Sequence, residues 1–497
     1  MSSLKKLAGQ TATYGLPTIL GRLLNYALTP FYTYIFGTPA DFGTNTEFYA
    51  YISFLNILFT YGMETGLFHF SAKEPNKELV YSTALRSLTV SSLLLMVPVL
   101  VFAGPIAGVL RYADHPEFIW WAILIVATDA IAAIPFAKLR EENRAKKFAG
   151  IKMVNITVNV LVNFFFIGWC KWAHEHQPGS FIGSLYDPSI GIGYAFIANL
   201  VANAVSLLLL SKELARIRNG FSADIWKKMM LYSLPLLVVG FAGMTNETLD
   251  RILLKYLLPE AIGKTQLGIY GACYKISILM TIFIQAFRYA AEPFFFARQK
   301  DEDARTVYGS VMKYFVIFCL IIFLGTTLNL SWIRYFVSAR YRAGLPVVPI
   351  LLLANLFLGM YFNLSIWYKL TGRTRFGMWL TLVGAAITLV LNFLWIPSHS
   401  AIVGGYMGSA WATLICYASM MVLSYFIGQR YYYVKYDVAR ILSYLGLALA
   451  LFFTAKYIGN FSTITSLVIN NALLLLFLAV IVVVEKPQRL FLKNNRR

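Results

Sequence analysis

Four charged residues interrupt long apolar segments of this sequence, and they are its strongest candidates for binding a ligand or an ion. Arg22, Asp129 and Lys275 fall near mid-segment, and Glu64 lies towards the end of another segment. A charge at the centre of a bilayer costs about 2.5–3.5 kcal/mol on insertion scales, so such residues usually face a bundle interior or water. They predict either an anion site with ion-coupling carboxylates or structural ion pairs, for example between Arg22 and Glu64 or Asp129.

Polar residues recur at helical spacing in six of the apolar segments. Asn25 follows Arg22 by three positions, and Asn56, Asn159 and Asn203 belong to similar stripes in three other segments. Steps of three and four residues place side chains on one helix face. The stripes predict either interhelical hydrogen bonds or a shared aqueous cavity, and their occurrence in both halves favours the cavity.

The apolar segments predict an all-α polytopic membrane protein. The 497 residues are 58% hydrophobic and 13% charged, with a mean hydropathy of +0.63. A bilayer core of about 30 Å needs roughly 20 helical residues, and runs such as Ala472–Val484 lack the alternation of a membrane β-barrel. The fourteen predicted spans are 11–35, 44–68, 81–103, 118–137, 150–170, 190–211, 229–250, 266–289, 307–330, 346–368, 376–396, 402–427, 440–458 and 463–484.

Lysine and arginine residues are concentrated in every second loop of the predicted topology. When each basic residue near a span end is assigned to the adjoining loop, 32 fall on one set of alternate loops and tails, 9 on the other and 2 inside spans. This bias is typical of cytoplasmic loops and predicts a multi-pass protein of the cytoplasmic membrane with both termini in the cytoplasm. The net charge of +20 then indicates anionic membrane lipids as partners, not nucleic acid.

The two halves of the chain resemble each other in order and spacing. Tyr14-Gly-Leu-Pro17 opens span 1 as Tyr232-Ser-Leu-Pro235 opens span 7, and Lys138-Leu139 closes span 4 as Lys369-Leu370 closes span 10. Units of six spans enter the membrane from the same side, which makes the repeat parallel. The predicted domains are an N-terminal six-helix bundle at 1–225, a C-terminal six-helix bundle at 226–437, and two extra helices with a tail at 438–497.

Motifs of catalytic or cofactor chemistry are missing from the sequence. It holds no HExxH, Walker A or Ser/His/Asp pattern, no CxxC pair among its four cysteines, and no loop long enough for a soluble domain. We therefore expect a transporter without cofactor or metal rather than an enzyme. Without a nucleotide site, transport must draw on a coupling ion or the membrane potential, and Asp129 and Glu64 are the candidate ion carriers.

Four stretches, taken in order, carry a family resemblance. They are Tyr26…Pro30-Phe-Tyr-Thr-Tyr with Ala40-Asp-Phe-Gly43; Tyr61-Gly-Met-Glu-Thr-Gly-Leu-Phe-His-Phe70; Ile134-Pro-Phe-Ala-Lys-Leu-Arg-Glu-Glu-Asn-Arg-Ala-Lys-Lys-Phe148; and Asp250-Arg-Ile-Leu-Leu-Lys-Tyr-Leu with Leu267-Gly-Ile-Tyr-Gly-Ala-Cys-Tyr-Lys275. With them the chain resembles the polysaccharide (O-antigen repeat-unit) flippases of the multidrug/oligosaccharidyl-lipid/polysaccharide exporter superfamily.

The resemblance implies two six-helix bundles around a central cavity, with two extra C-terminal helices. It implies that an isoprenoid-pyrophosphate-linked oligosaccharide moves from the inner to the outer leaflet by alternating access. Arg22 and Lys275 match, in kind and location, cationic cavity residues that related lipid II flippases use for pyrophosphate. The asparagines of the polar stripes would contact the sugars, and a glycan polymerase and glycosyltransferases would be partners.

Three alternatives stay open at this point. A lipid II flippase would differ only in its cargo. A multidrug or cation antiporter of the same superfamily would need an acidic or aromatic cavity, which Arg22 and Lys275 disfavour. A membrane enzyme that polymerises or ligates glycans would need a larger outer loop than 171–189.

The predicted topology can be tested at the loop between spans 4 and 5, because Lys138–Lys152 alone holds six Lys+Arg. In a cysteine-free variant carrying Lys146→Cys, we expect a membrane-impermeant maleimide to label residue 146 only after the membrane is opened. Asp187→Cys, in a predicted outer loop, is the matched control and should be labelled in intact cells. Labelling of residue 146 from the outside alone would contradict the topology.

Overall fold

The computed structural model describes Gly21, Leu23 and residues 26–458 and 463–485. All regular structure in this part of the chain is helical, which confirms the predicted all-α class. The longer helices are α1, described over 26–35, α2 Pro39–Thr60, α3 Met63–Ser71, α4 Lys77–Val101, α5 Ala103–Val109, α6 Glu117–Glu141, α7 Ala145–Asn163, α8 Tyr194–Leu209, α9 Ala223–Leu257, α10 Glu260–Ala297, α11 Ala304–Thr327, α12 Val347–Leu364, α13 Arg375–Trp395, α14 Gly405–Tyr431, α15 Val438–Ile458 and α16 Thr463–Glu485. Short helical segments lie at Phe164–Cys170, Lys171–His176, Phe181–Ser184, Gly191–Gly193, Ser211–Leu214, Ala215–Asn219, Leu330–Ile333, Arg334–Phe336, Ala339–Gly344 and Ile366–Leu370.

Twelve helices of the described chain are long and apolar enough to cross a membrane. The protein is therefore a multi-pass membrane protein, although the predicted count of fourteen is not confirmed. Predicted span 1 lies largely outside the described residues. Predicted span 2 is broken into α2 and α3, because Tyr61 and Gly62 take the left-handed conformation with φ of 33° and 72°.

The break in span 2 is held by its neighbours. Glycine adopts a positive φ without steric cost, whereas Tyr61 needs support from its surroundings. Its side chain is buried, and its hydroxyl shares a hydrogen bond of 2.8 Å with Ser87 of α4. Span 2 is thus a pair of helices with Glu64 at the start of the second.

By compactness the chain divides into two units, Met1–Ala272 with Thr381–Ser409 and Cys273–Leu380 with Ala410–Arg497. In the first unit α6 packs against α2, α4 and α8, α8 packs on α7, and α2 packs on α9. Apolar side chains such as Phe48, Phe59 and Ile123 fill its core. The repeat boundaries at 225 and 437 remain a prediction.

In the second unit α11 packs against α12, α15 and α16. Glu485, at the end of α16, accepts hydrogen bonds from Lys313 of α11 at 2.5 Å and from Tyr444 of α15 at 2.7 Å. This carboxylate ties the two last helices to α11, although they lie outside the predicted six-span repeat.

Carboxylates pair with much of the basic loop between α6 and α7. Lys138 is buried and lies 3.1 Å from Glu78. Glu213, also buried, lies 2.9 Å from Arg144 and 2.7 Å from Lys147. These pairs join three loops of the predicted cytoplasmic face, so part of the basic excess is neutralised within the protein rather than by lipid.

The same cluster continues to the end of α6. Arg216 lies 2.5 Å from Glu142. Partial burial alone would raise the pKa of Glu142, but the hydrogen bond from the Arg216 guanidinium lowers it below its usual range. A lowered pKa keeps this carboxylate ionised, which suits a permanent connection between the loops.

A fully buried ion pair joins α2 to α9. Lys255 Nζ lies 2.7 Å from Glu47 Oε1, and both residues are at most 1% exposed. Lys255 also donates to the Leu110 carbonyl at 2.6 Å. Glu47 accepts further hydrogen bonds from Tyr112 at 2.7 Å and Tyr51 at 2.5 Å. Every charge therefore has several partners, which is the condition under which a buried pair is tolerated.

We expect Lys255→Met to lower the free energy of unfolding by about 3–5 kcal/mol, because it leaves the Glu47 carboxylate buried without its cation. Thermal unfolding of the purified protein in detergent measures this loss. Lys228→Met is the control, because Lys228 pairs with Asp224 in solvent and its loss should leave the midpoint nearly unchanged. Equal midpoints for the two variants would contradict the role given to Lys255.

Candidate transport site

Asp129 lies at the centre of a hydrogen-bonded group that three helices build. Asn203 of α8 donates its Nδ2 to Asp129 Oδ1 at 2.9 Å and to Thr128 Oγ1 at 3.0 Å. Asn56 of α2 lies within hydrogen-bonding reach of the same carboxylate, and its Oδ1 has no partner among the described residues. Three of the predicted site residues, Asp129, Asn203 and Asn56, are thus brought together.

Helix α7 extends this group. Asn155 donates its Nδ2 to Asn203 Oδ1 at 3.3 Å and to Ser206 Oγ at 2.9 Å. Lys152, almost one turn earlier, places its ammonium 4.1 Å from the ring centre of Phe136. The ammonium is also close enough to Asp129 to act on its charge. A half-buried cation and a half-buried carboxylate therefore share this part of the first unit.

Asn159 lies on the same face of α7 but further along the helix. Asn163 donates its Nδ2 to Asn159 Oδ1 at 3.2 Å, and Tyr32 of α1 donates to Asn163 Oδ1 at 2.6 Å. From Lys152 to Asn163 the polar face covers eleven residue steps, or about 16 Å of helix. The predicted site residue Asn159 is thus in line with the Asp129 group without contacting it.

Interhelical hydrogen bonds involve many of the polar side chains in the predicted stripes. The bonds among Asn155, Asn203 and Ser206 cross from α7 to α8, and Asn199 donates to Tyr49 of α2 at 3.0 Å. In α2, Ser53 instead donates to a carbonyl of its own helix at 2.7 Å. The first of the two interpretations of the stripes therefore applies to spans 5 and 6, and the aqueous cavity stays a prediction.

Glu64 lies beside a cation in the last turn of α6. Its Oε1 lies 2.5 Å from Arg140 Nη2, and both side chains are about one-third exposed. The Arg140 guanidinium also lies over the rings of Phe68 and Phe148, at 5.4 and 5.8 Å from their centres. Glu64 thus has Arg140 as an ionic partner, and its predicted pairing with Arg22 stays a prediction because Arg22 lies outside the described residues.

The remaining predicted residues fall elsewhere. Arg22 and Asn25 lie outside the described residues, so their roles stay predictions. Lys275 is half-buried in α10 and belongs to the second unit, whereas Asp129 and its partners belong to the first.

Lys152 is the site residue that sequence analysis missed. It lies two positions after the predicted start of span 5 and was counted with the basic loop. The sequence nevertheless indicates that Lys152 belongs to the polar face of the helix. Steps of three, four and four residues separate Lys152, Asn155, Asn159 and Asn163. Those steps place all four residues on one face.

The arrangement suits a polar, anionic ligand. Amide side chains both donate and accept hydrogen bonds, as sugar hydroxyls require. An ammonium can pair with a phosphate oxygen, and a partly accessible carboxylate can bind a proton or a cation. No group of three His, Cys, Asp or Glu side chains that could hold a metal occurs in the described part of the chain.

Comparison with known families decides between the classes of membrane protein. Residues 7–299 match the family described as polysaccharide biosynthesis protein. The chain belongs to this family. The matched region of this polysaccharide biosynthesis protein includes all four stretches that carry the resemblance and confirms it. No curated protein matches the chain.

Solved structures show the same fold. A lipid II flippase, MurJ, in an inward closed conformation is 12% identical, with a TM-score of 0.67 over 94% of this chain and 98% of that one. An inward-facing multidrug resistance MATE family transporter is 12% identical, with a TM-score of 0.62 over 84% of this chain and 94% of that one. The Vibrio cholerae MATE transporter VcmN is 14% identical, with a TM-score of 0.52 over 88% of this chain and 100% of that one.

These likenesses establish the fold of this polysaccharide biosynthesis protein and leave its cargo undetermined. Two of these three solved proteins are transporters and the third is a flippase. The predicted all-helical transporter fold is thereby confirmed.

Proposed function

We propose that this protein is a flippase that moves an isoprenoid-pyrophosphate-linked oligosaccharide from the inner to the outer leaflet of the cytoplasmic membrane. The match to the polysaccharide biosynthesis family carries the proposal. The polar face of α7, with Lys152 at one end and Asn163 at the other, supports it because it offers amides and a cation in one line.

The polar head group of such a substrate is costly to move through the hydrocarbon core of the membrane. Each polar group without a hydrogen bond in hydrocarbon costs several kcal/mol, so the sugars need a continuous series of partners. Asn56, Asn159 and Asn203 are proposed to supply part of that series. Arg22, Lys275 and Lys152 are proposed to pair with the pyrophosphate, while the prenyl chain stays in lipid.

Movement of the head is proposed to follow from rocking of two six-helix bundles, 1–225 and 226–437, with 438–497 alongside. Both termini are proposed to face the cytoplasm. Glycosyltransferases at the inner face and a glycan polymerase at the outer face are the proposed partners, because they would supply and consume the lipid-linked glycan.

A lipid II flippase is the second candidate, and its support is the likeness to the solved lipid II flippase. A multidrug or cation antiporter is less well supported, because Lys152 adds a further cation to the predicted Arg22 and Lys275. Purified protein in liposomes, given either a polyprenyl-pyrophosphate oligosaccharide or lipid II, separates the cargoes by the rate of head-group translocation. Faster flipping of lipid II would favour the second candidate.

We expect Arg22→Ala to abolish glycan export while the protein still accumulates in the membrane. Arg22→Lys should restore export only in part, because an ammonium lacks the planar fork with which guanidinium binds phosphate. Surface glycan and membrane protein levels are the two measurements. Arg298→Ala is the control, because Arg298 is exposed and pairs with Asp301 in a loop. Full export by Arg22→Ala would assign Arg22 a structural role only.

Asp129 and Glu64 are proposed to couple transport to a proton or another cation, and the geometry favours Asp129. Glu64 already has Arg140 as an ionic partner, whereas Asp129 is held by neutral amides with Lys152 nearby. We expect Asp129→Asn to remove the dependence of flipping on an imposed ion gradient, because a neutral amide cannot exchange a proton. The flipping rate in liposomes, with and without the gradient, measures this.

Asp187→Asn is the control for coupling, because Asp187 lies in an exposed loop. If Asp129→Asn and Glu64→Gln both keep full rate and full gradient dependence, these carboxylates are not the coupling site. If the wild-type protein flips equally fast without any gradient, transport is facilitated diffusion that is driven by consumption of the glycan.

A further inference from the structure

A cleft in the second unit lies between the last turns of α10 and the end of α12. It contains about 290 Å³ of empty space, counting its open mouth. Phe287, Phe295 and Phe362 form much of its apolar wall, and Arg288, Asn363 and Lys369 supply its hydrogen-bond donors. So small and open a cleft suits a phosphate head group rather than an oligosaccharide.

Asn363 is the first sign that the cleft binds something. The residue is 4% exposed, and its buried Nδ2 has no hydrogen-bond partner within the described part of the chain. A buried amide donor that is left unpaired costs about 1–3 kcal/mol. The side chain lines the cleft, so an acceptor atom bound there would remove that cost.

Arg288 is the second sign. Its guanidinium lies 4.2 Å from the ring centre of Phe362, and it forms no ion pair with any described residue. The ring contact holds the guanidinium at the cleft, and a guanidinium without a carboxylate partner can bind phosphate oxygens through its N–H groups.

The charge of the cleft selects an anion. Lys369 Nζ lies 2.7 Å from Glu292 Oε1, so these two charges largely cancel. Arg288 then leaves the cleft with a net positive charge, and the lysine ammonium keeps free donor positions. A cation would meet Arg288 at close range and is therefore excluded.

We propose that this cleft binds the phosphate or pyrophosphate head of a lipid in the cytoplasmic leaflet. Its position supports a lipid, because α10 is a membrane-spanning candidate and Lys369-Leu370 closes a predicted span at the cytoplasmic face. An isoprenoid pyrophosphate would then dock here before its glycan enters the transport path. This version rests on the proposed flippase function, whereas a site for anionic phospholipid does not.

Binding to protein in nanodiscs of phosphatidylcholine tests the proposal without any transport step. The two probes are a sugar-free polyprenyl pyrophosphate and phosphatidylglycerol, and the apparent Kd of each is measured. We expect Arg288→Gln to weaken binding by about tenfold through loss of charge-assisted hydrogen bonds. Arg288→Lys should lose less, and Asn363→Leu should also weaken binding.

Arg373→Gln is the matched control, because Arg373 also lies over an aromatic ring, that of Tyr431 at 4.1 Å, but outside the cleft. It should bind both probes like the wild type. Loss confined to polyprenyl pyrophosphate identifies the substrate as the ligand, and loss with both probes identifies a general anionic-lipid site; either supports the proposal. Unchanged Kd values for Arg288→Gln and Asn363→Leu would overturn it.

The same protein preparations also test the proposed flippase function, independently of the head-group site. If the wild type binds through Arg288 but does not flip the glycan lipid in liposomes, the flippase proposal fails and the head-group site stands. If flipping persists while binding is independent of Arg288, only the head-group site fails.

Discussion

Lipid offers no hydrogen-bond partner, so each polar side chain within a span needs one inside the protein. The described helices largely follow this constraint. Asp129 is met by Asn203, and Glu47 is met by Lys255 and two tyrosines. Asn363 Nδ2 is an exception, because it has no partner among the described residues, and it lines the cleft that is proposed to bind a head group. The constraint explains both how the bundle is held together and where it can bind.

The stretches that carry the family resemblance are joints between helices. Arg140, in the last turn of α6, belongs to the third stretch and pairs with Glu64 of the stretch that ends predicted span 2. The other two stretches meet at Gly43 and Gly268, where an added Cβ would lie 2.2 Å from the Lys264 carbonyl oxygen and 1.8 Å from that of Pro39. Only glycine allows so close an approach of the two backbones.

Sequence patterns predicted local features such as spans and helix faces. They missed features that depend on tertiary contacts. Hydropathy located the spans, and helical spacing identified Asn56 and Asn203, which the structure places beside Asp129. The break at Tyr61 was missed because a left-handed tyrosine depends on its contact with Ser87. Lys152 was assigned to a loop, although its spacing to Asn155 pointed to the helix face. The Glu47–Lys255 pair joins residues 208 positions apart, and no local pattern reveals such a partner.

This buried pair bears on how the protein could move. The predicted repeat places Glu47 in the first bundle and Lys255 in the second, so rocking at that boundary would separate them. Separation of a buried pair is far more costly than that of a partly exposed one such as Glu64 with Arg140. Because α9 packs on α2 and shares its compact unit, it is expected to travel with the first bundle. The proposed rocking of the two bundles would then require a hinge after α9 rather than at residue 225.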